Sequence, residues 1–307
     1  MYRFLTLLPV LALTACAQQS NNDSITGADE PVSEPATTAN SAPANSGAER
    51  LATILAAQPA EKQARYGYRH PQQTLEFFGI TPGMTVVEAL PGGGWYTQIL
   101  LPYLGANGKL IGVDYALDMF PKFGFFTKED IEAKKTWAET WTTEAESWRG
   151  SNAAAVSAAV FGSVPDDLAG TADAVLFIRA LHNLNRFEND GGYLTTALTE
   201  AHRVLKPGGI VGVVQHEARN DKPDAWADGS KGYLKKAFII ERMEQAGFEY
   251  VDASDINAND KDQPADTDIV WRLPPTLLTS RDNPELKTEM QAIGESNRTT
   301  LKFRKPQ

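Results

Sequence analysis

Residues 83 to 97, GMTVVEALPGGGWYT, limit what this chain can fold into more than any other stretch. A β-branched run ends at Glu88, the bend Leu90-Pro91-Gly92-Gly93-Gly94 follows, and an apolar helical pattern starts directly after it. Glycine is needed where a chain reverses sharply, or where a ligand must come closer to the backbone than a side chain allows. The stretch therefore reads as a buried strand feeding a tight turn and a helix, the opening unit of a βαβ array.

The rest of the chain supports that array. Short apolar runs place strands at Thr85-Ala89, Lys109-Val113, Ala155-Val160, Ala174-Ile178, Ile210-Gln215 and Tyr250-Ala253, with a last strand at Thr299-Arg304. Helical periodicity separates them at Trp95-Leu104, Lys128-Trp148, Tyr193-Leu205 and Gly232-Ala246, while Glu49-Ala64 and Gln72-Phe78 form helical runs in front of the sheet. The predicted class is α/β, a doubly wound and mostly parallel sheet preceded by N-terminal helices. With 42% apolar and 22% charged residues, the chain can bury the core that one such domain needs. A formal net charge of -10 and the absence of a basic stripe leave no footprint for a polyanion, so nucleic acid is not expected as a partner.

The first residues follow a different logic. Met1-Tyr2-Arg3 leads into an apolar run from Phe4 to Leu13, then Thr14-Ala15-Cys16. A cationic head, a short apolar segment and small residues before a cut site describe a secretory signal, and the run is too short to span a bilayer. Cys16 is the sole cysteine, which excludes an intramolecular disulfide or a thiolate metal site; no metal is expected. The tetrad Leu13-Thr14-Ala15-Cys16 resembles a bacterial lipobox. That resemblance implies lipid on Cys16, export, attachment to a membrane facing the periplasm and, with alanine rather than aspartate at 17, the outer membrane. The segment up to Gly47 is rich in Ser, Ala, Asn, Thr and Pro and buries too little to offset its ordering entropy, so it is expected to be a tether. The expected organisation is a signal over 1-15, the lipidated cysteine and tether over 16-47, and a domain over 48-307 with an insertion at 256-298.

Candidate functional residues gather where strands end, because the carboxyl edge of a parallel sheet is where such folds bind ligands. The second strand ends in Asp114, whose carboxylate can accept from the adjacent hydroxyls of a ribose. The fourth ends in Ile178-Arg179-Ala180-Leu181-His182-Asn183, and the fifth delivers Gln215, His216 and Glu217. Arg179 and Asn183 are candidates to line a pocket. His182 and His216 are candidate general bases, since imidazole titrates near neutrality. Within the insertion, Trp271 and Arg272 are candidates to cap an acceptor pocket. His202 falls inside a helix and is expected to pack, whereas His70 is assigned to an N-terminal lid.

Leu205-Lys206-Pro207-Gly208-Gly209 is a different kind of signal: proline stops a helix, two glycines reverse the chain, and a β-branched run enters the sheet. Together with Glu88, the glycine bend and Asp114, this turn resembles class I S-adenosylmethionine-dependent methyltransferases, and the stretch from Ala64 to Lys305 is similar to exported bacterial members of that family. The resemblance implies a Rossmann-like sheet whose last strand returns antiparallel, S-adenosylmethionine as cofactor, Glu88 with Pro91, Gly92, Gly93 and Gly94 at the amino-acid end of the donor, Asp114 at its ribose, and a small-molecule acceptor. It departs at Leu90, where the family commonly has glycine. A nicotinamide site is disfavoured because Thr97 stands where its fingerprint needs glycine. Export raises a rival expectation, since a charged cytosolic donor does not cross a bilayer unaided: a non-catalytic, methyltransferase-like envelope lipoprotein that binds a nucleoside-like ligand or a partner protein.

Overall fold

The computed structural model describes residues 44 to 307. The expected signal, Cys16 and the tether lie outside the described residues apart from the last few tether positions, over which a helix already runs.

Four helices come first: α1 (Ala44–Ala56), α2 (Ala60–Gln63), α3 (Tyr66–Arg69) and α4 (Pro71–Phe78). The single helix expected over 49-64 is interrupted because Pro59 caps α2 from an extended conformation. The sheet follows as β1 (Thr85–Ala89), α5 (Thr97–Leu104), β2 (Lys109–Asp114), α6 (Lys128–Lys134), α7 (Trp137–Trp148), β3 (Ala155–Val160) and β4 (Ala172–Ile178). Then come α8 (Leu181–Arg186), α9 (Glu188–Gly191), α10 (Tyr193–Val204), β5 (Leu205–His216), α11 (Lys236–Gln245), β6 (Glu249–Ser254), α12 (Pro284–Ile293) and β7 (Arg298–Arg304). All seven expected strands are present. The helix expected over 128-148 divides at Lys135 and Thr136. A capping box fixes where α6 starts, the Thr127 hydroxyl accepting from the Asp130 amide and the Asp130 carboxylate from the Thr127 amide. α7 then restarts in a direction that buries Trp141 and Ala145. The last expected helix begins at Lys236 rather than Gly232, since Gly232 has φ +90 and cannot open a helix.

The strand order is β3-β2-β1-β4-β5-β7-β6. The first five strands in that row pair in parallel, with Val87 opposite Ile111 on one side and Val175 on the other, while β7 runs antiparallel between β5 and β6. This is an open, doubly wound, mostly parallel sheet with an antiparallel last strand, as expected. From β1 the chain winds outward through β2 to β3, then returns to the far side of β1 with β4. The carboxyl ends of β1 and β4 are thus a topological switch point, where the two loops diverge and leave a crevice.

Because strands alternate faces, each half-pattern buries on its own side. Val87, Ile111, Val175, Phe177, Val211 and Val213 pack under α10 and α11, and Val86, Leu110, Leu176 and Val214 pack against α1, α4 and α5. At about 1.5 to 3 kcal/mol for each fully buried large side chain, these two layers hold the strand ends, and what projects from them, in fixed positions.

Candidate functional site

A cavity of about 700 Å³ opens at that switch point, within the range of small-molecule sites. Its floor is the bend after β1. Gly92 and Gly93 line it, and a Cβ built on Gly93 would meet nothing within 4 Å, so this backbone is open to whatever enters. Leu90, also on the wall, has φ +55. The left-handed conformation that glycine adopts freely is thus kept by a leucine, at a strain of about 1 to 2 kcal/mol.

The structure corrects two of the assignments made for this bend. Gly94 does not line the cavity; its φ is +71 and its Cβ would lie 2.3 Å from a ring carbon of Trp148, so backbone conformation and packing, not a ligand, require glycine there. Glu88, expected beside the amino-acid end of a donor, is 4% exposed on the opposite side of the bend, where the Thr97 hydroxyl donates to its Oε2 at 2.7 Å. Alternation along β1 puts it on the Val86 face. Burial there pushes its carboxyl up to about 7 against the opposing pull of Thr97 and Lys62.

Asp114 lies on the cavity wall as expected. Its Oδ1 accepts from the Tyr115 amide at 2.9 Å and its Oδ2 from Lys134 Nζ at 3.1 Å. Burial raises its pKa while Lys134 works against that shift. A carboxylate offers about four lone-pair sites, so these two donors leave room for two hydroxyls. Lys134 itself was not foreseen; it is brought in by the cap that sets the register of α6.

From β4 and β5, Arg179, His182, Asn183 and His216 all reach the same cavity. Asn183 donates to the Tyr115 hydroxyl at 2.8 Å. His182 is 4% exposed, and its Nδ1 is within hydrogen-bond distance of the fully buried Gln215 amide. Burial pulls its pKa down to about 4, so the ring is neutral at physiological pH and has a free pair to accept a proton. His216, with its ring centroid 5.3 Å from that of His182, pairs its Nδ1 with Ser296 Oγ at 2.5 Å; burial and then its proximity to His182 and Arg179 hold it well below the usual histidine range. Arg179 has φ +59, and its buried Nε has no hydrogen-bond partner among the described residues.

The insertion forms the roof, and there the structure divides the two residues singled out from the sequence. Trp271 lines the cavity, its ring 5.9 Å from that of His182. Arg272 does not: it is 3% exposed and bound to Asp262 at 2.7 Å, while Asp262 also accepts from the Tyr233 hydroxyl. It therefore holds the insertion together from inside. Glu295, which sequence reading passed over, closes the roof by accepting from Arg65 and Arg69 of the N-terminal segment and pairing with Arg298 at the start of β7. Burial alone would raise its pKa, but Arg298, Arg69, Arg65 and Arg179 outweigh this and hold the carboxyl below the usual range. Arg69 also lies 4.5 Å over the Trp95 ring. Neither His70 nor His202 faces the cavity. His70 joins α3 to α4 with φ +38, and His202 packs its ring on Phe248 at 5.2 Å.

No protein-family model and no curated protein sequence matches the chain. Among solved structures, an S-adenosylmethionine-dependent methyltransferase from Aquifex aeolicus is 18% identical, covering 67% of this chain and 93% of its own, with a TM-score of 0.43. A second is 1,6-didemethyltoxoflavin-N1-methyltransferase from Burkholderia thailandensis with its substrate and S-adenosylhomocysteine bound, 12% identical over 91% of this chain and 94% of its own, with a TM-score of 0.42. A third is the phosphoethanolamine N-methyltransferase 2 of Haemonchus contortus in complex with S-adenosylhomocysteine, 17% identical over 78% of this chain and 53% of its own, with a TM-score of 0.40.

Proposed function

We propose that this protein is an S-adenosylmethionine-dependent methyltransferase acting on a small acceptor. The observation that carries the reading is the cavity at the β1/β4 switch point, where the uncovered Gly92 and Gly93 backbone and the Asp114 carboxylate share one wall. Asp114 would accept from the ribose hydroxyls, the Gly92-Gly93 backbone would take the amino-acid end in place of Glu88, and Leu90 and the neighbouring aromatic side chains would enclose the adenosyl group. When bound, that group supplies a methyl carbon on a sulfonium, open to displacement by a nucleophile. The protein's part is alignment and exclusion of water. Where the acceptor must lose a proton, neutral His182 or His216 accepts it, with Gln215 and Ser296 fixing the ring orientations.

Calorimetry on the purified protein with S-adenosylmethionine and S-adenosylhomocysteine tests this directly, and absence of binding at millimolar ligand removes the reading. Asp114→Ala is expected to weaken S-adenosylhomocysteine by about 1 to 3 kcal/mol, the loss of charge-assisted hydrogen bonds to the ribose. Unchanged affinity would refute the ribose role.

One observation favours the second reading, a non-catalytic envelope protein binding a nucleoside-like ligand or a partner protein: Leu90, at φ +55, puts a branched side chain on the cavity wall at a bend where glycine would leave more room for the donor. Turnover separates the two readings, because both predict binding and only the first predicts methyl transfer. We further propose export and lipid attachment through Cys16. On this view Cys16→Ser moves the protein from the membrane to the soluble fraction of the cell envelope, and wild-type protein recovered from the cytosol contradicts it.

A further inference from the structure

The cavity has a charge imbalance that the proposed donor alone makes worse. Four cationic side chains line it, Arg65, Arg69, Lys134 and Arg179, against two carboxylates, Asp114 and Glu295. Three of the four cations are spoken for: Arg65 and Arg69 bind Glu295, and Lys134 binds Asp114. Arg179 is left over. Its Nε is buried with no hydrogen-bond partner among the described residues, while the side chain as a whole is half-buried on the cavity lining. The one carboxylate in its vicinity, Glu295, is already engaged by Arg65, Arg69 and Arg298. A guanidinium stays charged in proteins, and a half-buried one whose Nε has no partner keeps donors free for an oxyanion in the cavity. Bringing a sulfonium donor into the same enclosure adds a further positive charge, which an electrically neutral acceptor leaves uncompensated.

We propose that the acceptor is an anion, a small molecule carrying a carboxylate or phosphate group whose oxygens are bound by the planar fork of Arg179. This inference rests on the methyltransferase reading for the word acceptor; the oxyanion site itself does not. Bidentate geometry is what distinguishes arginine from a simple point charge at such a position. Arg179 stands just past the end of β4, and His182, in the first turn of α8 that follows it, and His216, at the end of β5, both line the cavity with it. An anion bound at Arg179 is therefore held beside the groups available to take a proton from the acceptor, while Asp114, at the end of β2, lies on the other side of the Gly92-Gly93 bend.

The donor also carries a carboxylate, so the test must separate two sources of the same chemistry. Binding of inorganic phosphate, S-adenosylhomocysteine and 5′-methylthioadenosine, which lacks the amino-acid end, is measured by calorimetry on the full chain as wild type, Arg179→Gln and Arg179→Lys. The expected result is saturable phosphate binding to wild type, weakened at least tenfold in Arg179→Gln and partly retained in Arg179→Lys, with S-adenosylhomocysteine unchanged within twofold in both variants. Melting temperature in ligand-free buffer should be equal or higher in Arg179→Gln, because a half-buried guanidinium whose Nε lacks an acceptor is gone; a lower one signifies a structural arginine and overturns the proposal. A tenfold loss of S-adenosylhomocysteine in Arg179→Gln with 5′-methylthioadenosine unaffected assigns Arg179 to the donor's carboxylate and likewise overturns it. Phosphate binding that ignores Arg179, or is absent, also overturns it. Should wild type bind phosphate through Arg179 but fail to bind S-adenosylhomocysteine, the methyltransferase reading falls and the oxyanion site stands.

Discussion

Gly94→Ala is expected to destabilise the domain by about 3 kcal/mol, lowering its melting temperature by roughly 6 to 12 °C at this chain length. Two terms add. At φ +71 a Cβ is strained by about 1 to 2 kcal/mol, and the new methyl would lie 2.3 Å from the Trp148 ring, which packs against the core on that side of the sheet. Trp148 must move out or the bend must open. The neighbouring Gly93→Ala provides the contrast, since its methyl meets nothing and φ is not positive there. It should unfold within about 0.5 kcal/mol of wild type while reducing binding of S-adenosylhomocysteine, because the methyl projects into the cavity. Thermal and denaturant unfolding of the two variants, compared with calorimetry, checks the division of labour. If Gly94→Ala melts with wild type, the packing argument is wrong.

The second large effect comes from Glu88 and changes with pH. Its carboxyl is pushed up to about 7 in the folded protein from an ordinary value of 4.5, so the native state holds the proton more tightly than the unfolded chain does. The sign follows from linkage: the contribution to stability is fully present below pH 4.5, declines as pH rises through 7, and then levels off. Glu88→Gln stays neutral throughout and still offers the Thr97 hydroxyl an oxygen to donate to. It should match wild type near pH 4 and exceed it at pH 8 by about 3 kcal/mol, from about 1.4 kcal/mol per pKa unit. Chemical denaturation across pH 4 to 8 measures the difference. A gap that does not widen with pH would mean the carboxyl is not buried uncharged. His182 adds a slope of the opposite sign in the acid range: with its pKa lowered to about 4, the unfolded chain binds its proton first, and stability falls as pH drops from 6.5 toward 4.

The strands were legible because burial on both faces leaves a local signature: Val86-Val87 and Val211-Gly212-Val213-Val214 are apolar in succession, which few structures other than a central parallel strand can use. The glycine bend, Asp114 and the residues after β4 and β5 could be placed at the ligand edge for the same reason, since the ends of legible strands fix where their loops emerge. Side-chain direction was not legible. Whether Glu88 faces the cavity or the Val86 side depends on one step of alternation and on Thr97 being there to donate to it. Arg272 looked like a pocket residue because nothing local reveals Asp262 as its partner. The Arg65, Arg69 and Glu295 cluster joins residues more than two hundred positions apart and had no local trace. Only the surplus of arginines near Tyr66-Gly67-Tyr68-Arg69 and an acid in Glu295-Ser296-Asn297-Arg298 were visible, and neither predicts the other.

The place of β7 between β5 and β6 sets an order on assembly. β6 has no other neighbour in the sheet, so as the chain is made it emerges with nothing to pair with, and β5 keeps a bare edge until residues 298 to 304 arrive. Glu295 lies just ahead of that strand, so the keystone that draws the front helices over the cavity is laid along with it. A chain made only as far as β6 therefore has a sheet with an open slot and no finished chamber, and it is exposed to pairing with other unfinished chains until β7 arrives.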